Sequence, residues 1–458
     1  MTIVNQRRPA PAVPHRIEIP DRIPKERYYD PAFYRLEAEH LWPRVWQMAC
    51  RLEEIPEPDD FVEYEILDQS IIVVRTADDE VRAFQNACRH RGVKVAVDRG
   101  TCAGGFTCPF HGWCYAPDGR NTFVSRPRTF SEHNLRPGEL DLTPVRCEMW
   151  GGCAWINLSD EAPPLRECIE PFATALDAWK IESYRVEWWR AIRLPVNWKL
   201  AEAAFLEQYH VLESHPQLRI PGRMPPRDPV AFDPHAFVEA ELHYLRTMSV
   251  GMAGMVHADD VRVAEGLRDI ELPTDPTAAR TAWERTLNDA VVRWHRDAGH
   301  DVPDLNVLED DGLNQPMGYC FPHFFMLPMY SSASSYRFRP LGPEETLMEI
   351  WSLTRYPEGA ARPKPERPEV WECDDPRIPP IPAQDFSNLP KQQRGLHNRG
   401  FEYLRLAERI EGGVANFERT VDGFVGDLQY ASLLPALHAI NVNPLEMPVL
   451  GLLTGASE

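Results

Sequence analysis

Two short segments constrain this chain more than anything else in it: Cys88-Arg89-His90 and, after seventeen intervening residues, Cys108-Pro109-Phe110-His111. Each supplies one sulfur and one nitrogen donor, so two facing loops can clamp a metal centre between them. Gly92, Gly104, Gly105 and Gly112 give those loops backbone freedom, and Trp113 and Tyr115 are placed to keep water away. Two chemistries use such a donor set. A structural zinc ion takes two Cys and two His. A sulfide-bridged iron pair takes two thiolates on one iron and two neutral imidazoles on the other. A zinc finger normally pairs Cys with Cys and His with His, whereas each half here is mixed, which favours the two-iron cluster. The other Cys residues, including Cys102 and Cys114, read as bystanders.

Around these loops, from about 44 to 160, short strand-like runs (VWQMAC, FVEYEIL, SIIVVRT, VRAFQNA and later CEMWGGCAWINL) alternate with turn signals such as PEPDD, LDQS and ADDE. An all-β module is predicted there. Before it, residues 1–43 read as a Pro-rich extended arm, lying on the protein or on a neighbouring subunit, followed by a short helix over 30–43. Asp30 is the expected N-cap and Pro31 the first helical residue. After it, residues 161–458 mix helices with strands. Strong helix formers run from Trp198 to Glu213. Residues 276–297 form another expected helix, with Ala278, Trp283, Leu287, Val291 and Trp294 as a core-facing stripe. FFMLPMYSS, SSYRFRP and TLMEIWSLTRY read as strands, the last two joined as a hairpin through LGPEE, and a helical stretch is expected over about 385–428. The fold class is therefore α+β, with an N-terminal all-β domain.

The charge is acidic throughout, −20 net from 49 basic and 69 acidic residues, which argues against nucleic acid and anionic membranes. It suits either simple solubility or docking of a basic electron donor. No run approaches the ~18 apolar residues that cross a bilayer. The ten Cys follow an N-terminus without an export signal, so reduced thiols, metal ligation and a cytoplasmic location are expected.

A second donor set stands at His210 and His215, followed by Pro216. Two His plus one carboxylate make a facial triad that leaves iron(II) positions open for O2. On a regular helix, five residues at about 100° each put the two His about 140° apart, too far for one ion. Pro216 disfavours helical geometry at His215, so the helix should end there and His215 fold back towards His210.

The CPFHGW loop and the stretch NWKLAEAAFLEQYHVLESHP together resemble the catalytic α subunits of Rieske-type non-haem iron oxygenases. The resemblance implies a [2Fe–2S] cluster on Cys88, His90, Cys108 and His111, and a mononuclear Fe(II) on His210, His215 and an acid from a late helix. It implies a helix-grip-like antiparallel sheet domain around that iron. The late segment Gln384-Asp385 to Gln393-Arg394-Gly395-Leu396 resembles the carnitine- and choline-type branch, so Asp385 is the expected third ligand, ahead of Asp311, Asp422 and Asp427. Glu207 matches the acidic residue that, in the family, links the iron site to a cluster-ligating His of the adjacent subunit. Asp is commoner there. Glu202 matches another acidic motif position or is an exposed helix charge, and Ala203 stands where many members carry Asn. Val93 and Phe110 occupy the positions of a Cys pair present in respiratory Rieske proteins, so that disulfide is not expected.

The implied function is O2-dependent hydroxylation or dihydroxylation of a hydrophobic aromatic or alicyclic substrate, with electrons from a reductase and, in some systems, a ferredoxin. The alternative is a monooxygenase cleaving a C–N or C–O bond, as in alkylammonium or methoxyarene demethylation. An electron-transfer protein without oxygenase activity is the third reading. A head-to-tail homotrimer (α3) is implied, with α3β3 as the variant. Phe205, Leu206, the 276–297 helix and the 321–330 run are candidates for lining a pocket or for plain core.

Overall fold

The computed structural model describes residues 13–76, 80–220, 232–252, 254–314, 318–357, 359–361, 364–441 and 446–453. The first twelve residues of the expected arm, most of the ADDE turn and part of the ARPKPERPEV loop lie outside the described residues.

The cluster-motif module is built on a seven-stranded sheet. Its order is Gln47–Arg51, Cys153–Asn157, Pro144–Trp150, Val81–Gln85, Gln69–Arg75, Asp60–Ile66, Arg99–Thr101. The strand Asp60–Ile66 alternates buried and less buried residues along its length, the period of a half-covered antiparallel strand. It turns directly into Gln69–Arg75, whose Ile-Ile-Val-Val centre is buried. A three-stranded sheet, Phe106–Thr107, Cys114–Tyr115 and Asn121–Phe123, carries the second motif segment.

The second half centres on a six-stranded sheet ordered Gly318–Cys320, Phe324–Met329, Ser332–Gly342, Glu345–Thr354, Arg185–Leu194, Val370–Glu372. All pairs are antiparallel except the last. The expected hairpin is present, closing at Gly342 opposite Glu345. The helices that matter are α1 (Pro31–Leu36), α2 (Trp198–Leu206), α3 (Val211–Ser214), α4 (Pro234–Gly251), α5 (Pro276–Asp297), α6 (Pro380–Leu396) and α7 (Gly412–Val425). Asp30 caps α1 through the Ala32 amide with Pro31 at its first position, as expected, and the chain continues as a π turn over Glu37–Leu41.

Three expectations change. The helix from Trp198 towards Glu213 is broken: α2 stops at Leu206, Glu207 is extended (φ −144°, ψ 159°), and α3 is one turn long. The stretch 385–428 is two helices, α6 and α7, separated by the strand Tyr403–Arg405, which pairs with Arg22–Pro24. On α5 the buried stripe runs Ala279, Trp283, Leu287, Val291, His295 at a four-residue step, so Ala278 and Trp294 lie off it and are exposed. Asp275 caps α5 through the Ala278 amide, and that register turns Ala278 outward.

The N-terminal segment is built into the second domain by buried charges. Lys199 on α2 donates to the Glu37 carboxylate at 2.6 Å and to the Arg27 carbonyl at 2.9 Å, and Trp198 Nε1 donates to Glu37 at 3.1 Å. Both charged side chains are sealed from solvent. Burial pushes the Glu37 carboxyl above its ordinary range, with Lys199 and Trp198 pulling against it. Arg27, likewise buried, is held by Glu418 at 2.8 Å and by Asp422, both on α7. Removing one partner of such a pair strands the other charge. Lys199→Met is expected to cost about 3–5 kcal/mol of folding stability, read as a lowered denaturant midpoint; an unchanged midpoint would show that Lys199 does not anchor α2.

Candidate metal centres and the cavity beside them

The two cluster-motif loops have the same backbone. In each, the Cys amide donates to the carbonyl five residues on (Cys88 to Val93, Cys108 to Trp113, both 2.8 Å). In each, a glycine amide donates back to the Cys carbonyl (Gly92 to Cys88, 2.8 Å; Gly112 to Cys108, 3.0 Å). Both glycines sit at positive φ, +76° and +71°, where a side chain would be strained. His90 occupies the second position after its Cys and His111 the third, so two near-identical turns present two thiols and two imidazoles. Cys88 and Cys108 are buried, and burial raises the Cys88 thiol, opposed by a 3.2 Å contact with the Tyr115 hydroxyl. The His90 and His111 rings meet edge-on at 4.6 Å, and His90 stacks on Trp113 at 5.0 Å. Burial and His111 keep the His90 imidazole below its ordinary pKa, as a neutral ligand requires. Its Nδ1 is buried with no partner among the described residues. This donor set fits two metals, one held by sulfur and one by nitrogen. It does not close on one ion: among the described residues, the only such group of three or more donors lying within 4.8 Å of one another is in the other domain.

That group is His210, His215 and Asp385. The break at Glu207 reorients the chain so that His210 caps α3 at its start and His215 ends it, with non-helical φ −119°, ψ 71° before Pro216. The fold-back expected at Pro216 is thus helped by a second break that the sequence pattern did not signal. The two rings lie 5.5 Å apart. Asp385, in the second turn of α6, places Oδ1 3.2 Å from His215 Nε2 and 3.7 Å from His210 Nε2. Each His is oriented from behind: His210 Nδ1 meets Glu207 Oε1 at 2.5 Å, and His215 Nδ1 meets Gln384 Oε1 at 2.7 Å. With acceptors at both Nδ1 atoms, the protons belong there and both Nε2 lone pairs face Asp385. Burial works against protonation of both imidazoles, but Glu207 and Asp385 at His210, and Asp385 and Gln384 at His215, raise both above the ordinary value. That is the signature of a site built to hold positive charge.

The competing acids are occupied elsewhere. Asp311 is exposed at the end of the short helix Leu305–Asp310, Asp422 holds Arg27, and Asp427 pairs with Arg44 at 3.2 Å. Gln384, which braces His215 at 2.7 Å, and Gln217, which exchanges hydrogen bonds of 2.9 and 3.1 Å with Gln384, escaped sequence reasoning, although Gln384 directly precedes Asp385. Glu202 is a correction: it is fully buried, not an exposed charge, and neither oxygen has a partner among the described residues. Burial alone holds its carboxyl well above the ordinary range.

Beside the triad lies a cavity of about 360 Å³, within the usual size for a small-molecule site. Phe205, Leu218, Met248, Met252, Leu327 and Ile381 supply much of its wall. Phe205 also packs on Tyr336 at 4.8 Å, so it serves cavity and core together, while Leu206 is core.

Residues 181–427 match the family model of the ring hydroxylating alpha subunit catalytic domain, over half of the chain, and residues 45–131 match that of the Rieske [2Fe-2S] domain. The chain belongs to the ring-hydroxylating α subunits of Rieske oxygenases. Among its relatives, the glycine betaine monooxygenase oxygenase subunit of Pseudomonas aeruginosa (strain UCBPP-PA14) is 29% identical over 196 residues, 43% of this chain and 45% of that protein. The anthranilate 1,2-dioxygenase large subunit of Acinetobacter baylyi is 32% identical over 201 residues, 42% of each. The matched stretch thus spans less than half the length of these curated relatives. Among solved structures, a naphthalene 1,2-dioxygenase variant bound to phenanthrene superposes with a TM-score of 0.62 at 19% identity, covering 92% of this chain and 96% of that one. A quaternary ammonium Rieske monooxygenase gives 0.59 at 16% identity, covering 88% and 96%. Both share the fold of this Rieske oxygenase subunit. Among the described residues no helix is long and apolar enough to cross a membrane.

Two outcomes are expected at these residues. Asp385→Ala should lower iron from about three to about two per chain while leaving the visible spectrum of the cluster intact, and Asp311→Ala should change neither; full iron in Asp385→Ala would displace it as a ligand. Glu202 keeps a proton in the folded state that the unfolded chain releases above about pH 4.3, so the wild type loses stability as pH rises from there towards the folded pKa. Glu202→Gln lacks that loss, and the melting-temperature difference, variant minus wild type, should grow between about pH 5 and about pH 7.5. A flat difference would mean that Glu202 is ionised in the fold.

Proposed function

We propose that the chain is the terminal oxygenase of a multicomponent system. It takes electrons from a separate reductase, directly or through a ferredoxin, and uses O2 to hydroxylate or dihydroxylate a hydrophobic aromatic or alicyclic substrate. The observation that carries this reading is the convergence of His210, His215 and Asp385 on the wall of a mostly apolar cavity. His210, His215 and Asp385 would hold an iron(II) that supplies O2-activating chemistry, and Cys88, His90, Cys108 and His111 would hold a [2Fe–2S] cluster that supplies electrons.

The chain's own residues do the rest. Glu207 and Gln384 fix the tautomers of His210 and His215, so that both Nε2 atoms serve as ligands. The apolar wall excludes water from the reacting carbon and holds the substrate by burial instead of by charge at that end. Glu207 is also the residue through which a cluster-ligating His of a neighbouring chain would reach the iron site, in a head-to-tail trimer (α3, or α3β3 with a second subunit). Such a ring-closing interface is physically ordinary. A cytoplasmic location fits the unpaired thiols and the dependence on a reductase. The second reading, oxidative cleavage of a C–N or C–O bond, uses the same site and is supported by relatives named for glycine betaine and carnitine.

The test is reconstitution. The purified protein should be red-brown, with acid-labile sulfide and one further iron per chain, and should consume O2 with a surrogate reductase when a substrate is present. Product mass separates one incorporated oxygen atom from two. Glu207→Gln should keep both metal centres and lose most turnover. A colourless, zinc-loaded protein would end the oxygenase reading, and undiminished turnover in Glu207→Gln would end the bridging role.

A further inference from the structure

Tyr336 stands on the strand Ser332–Gly342, on the face of the catalytic sheet that packs against α2. Phe205 of α2 meets its ring at 4.8 Å, and the same Phe205 meets Phe325 and Phe338, each at 5.4 Å. Phe325 is the cross-strand neighbour of Tyr336, and Phe338 follows two residues on, on the same face. Of these four rings only Tyr336 carries a hydroxyl. That hydroxyl is sealed from solvent and has no well-formed hydrogen bond among the described residues, and the same is true of Ser334 Oγ, two residues earlier on that face. Burial, opposed by Ser334 and seconded by Asp385, raises the phenol well above its ordinary pKa, so the hydroxyl keeps its proton and is a donor. No other polar side chain bears on it. Nor does Tyr336 line the cavity; Phe205, which does, packs on its ring, so a substrate is not what the hydroxyl serves.

Asp385 has the complementary lack. Its Oδ1 takes both imidazole contacts, at 3.2 and 3.7 Å, and no hydrogen bond reaches Oδ2 among the described residues. His210 and His215 are each held from behind, by Glu207 and Gln384, whereas the carboxylate of the triad has no such support. Ligating carboxylates are ordinarily hydrogen-bonded in their turn, and a buried hydroxyl left unpaired costs about 1–3 kcal/mol. Resting on the proposed iron reading of this site, we infer that Tyr336 is the positioning residue for Asp385: with Ser334 Oγ it holds one water, which donates to Asp385 Oδ2. A direct bond does not join Tyr336 to Asp385, so the link runs through the water, and two hydroxyls and a carboxylate oxygen give that water the three partners a buried water usually has. With Oδ2 tied back to the sheet, Asp385 presents Oδ1 to the metal, which keeps open a coordination position that a carboxylate bound through both oxygens would take.

Metal binding tests this without turnover. Iron(II) would be titrated anaerobically, against a competing chelator, into full-length protein that keeps its cluster but has been depleted of mononuclear iron. Tyr336→Phe retains the ring and its packing on Phe205. It should bind iron(II) about 10–100-fold more weakly than the wild type, the usual effect of losing an outer partner of a metal ligand. The visible spectrum of the cluster and the melting temperature of the iron-depleted protein should stay at their wild-type values. Ser334→Ala should lose affinity to a smaller extent. In an Asp385→Asn background, titrated at higher iron, Tyr336→Phe should add little further loss, because residues that act as one unit do not add. Unchanged affinity in Tyr336→Phe overturns the inference. So does a loss that comes with a lowered melting temperature, or one that persists at full size beside Asp385→Asn, since either would mean that the hydroxyl acts through packing or through the His pair. In each of these cases the wild type still binds iron(II) at the triad; a wild type that binds none ends the oxygenase reading instead.

Discussion

The buried pair of Lys199 and Glu37 is the contact on which the arrangement of the iron site rests. It is sealed from water, seconded by the Trp198 indole and the Arg27 carbonyl, and it ties α2 to the segment that precedes the Rieske domain. A charge pair in that position gains little net energy over apolar packing, but it tolerates no slippage, because sliding α2 by one residue would leave two unpaired charges in the core. The register so fixed carries Leu206 to the end of the helix and Glu207 into an extended conformation, and His210 and His215 then open towards α6. The same N-terminal segment reaches α7 through Arg27, and it adds a strand beside Tyr403–Arg405. Gln393 on α6, the helix that carries Asp385, donates to the Tyr28 carbonyl of that segment at 3.1 Å, so α2, α6 and α7 are referenced to one buried frame.

Within that frame, identical carboxyl groups have unlike fates. Asp385 meets two imidazoles and can act as a ligand; Asp422 is spent on a buried arginine; Glu202, on α2, has no hydrogen-bond partner among the described residues, and burial raises its carboxyl well above the ordinary range. Glu37 lies between these, pushed up by burial yet tied to Lys199. What decides each case is the set of donors that the fold brings near, and that set is not a property of the residue or of its neighbours in sequence.

The same distinction explains how much could be read in advance. Cys88, His90, Cys108 and His111 were legible because each pair sits on a local turn, and local turns are written in local spacing. The β character of the first domain and the hairpin after Ser332 were legible for the same reason. His210 and His215 were legible with Pro216, whereas the break at Glu207 was not, since Leu206-Glu207-Gln208 has ordinary helix formers and the tertiary frame overrides them. Asp385 depended on a resemblance, because it is separated from His215 by most of the catalytic sheet. The burial of Glu202 left no local trace: the residue looks like an exposed helix charge until the packing of α2 is known.

Glutamate in place of aspartate at 207 bears on the proposed passage of electrons between chains. Its two oxygens already accept from one residue, Oε1 from the His210 ring at 2.5 Å and Oε2 from the His210 amide at 3.1 Å. The additional methylene is what lets the carboxylate curl over its own helix break and take both donors. A carboxylate offers about four lone-pair positions, so two remain for a donor arriving from a neighbouring subunit. The bridge therefore does not require Glu207 to release His210; it requires only that the incoming imidazole carry its proton on the nitrogen turned away from the cluster. In that arrangement the ligand that holds the iron and the ligand that holds the cluster would share one carboxylate, and a change of charge at either metal would be felt at the other through two hydrogen bonds.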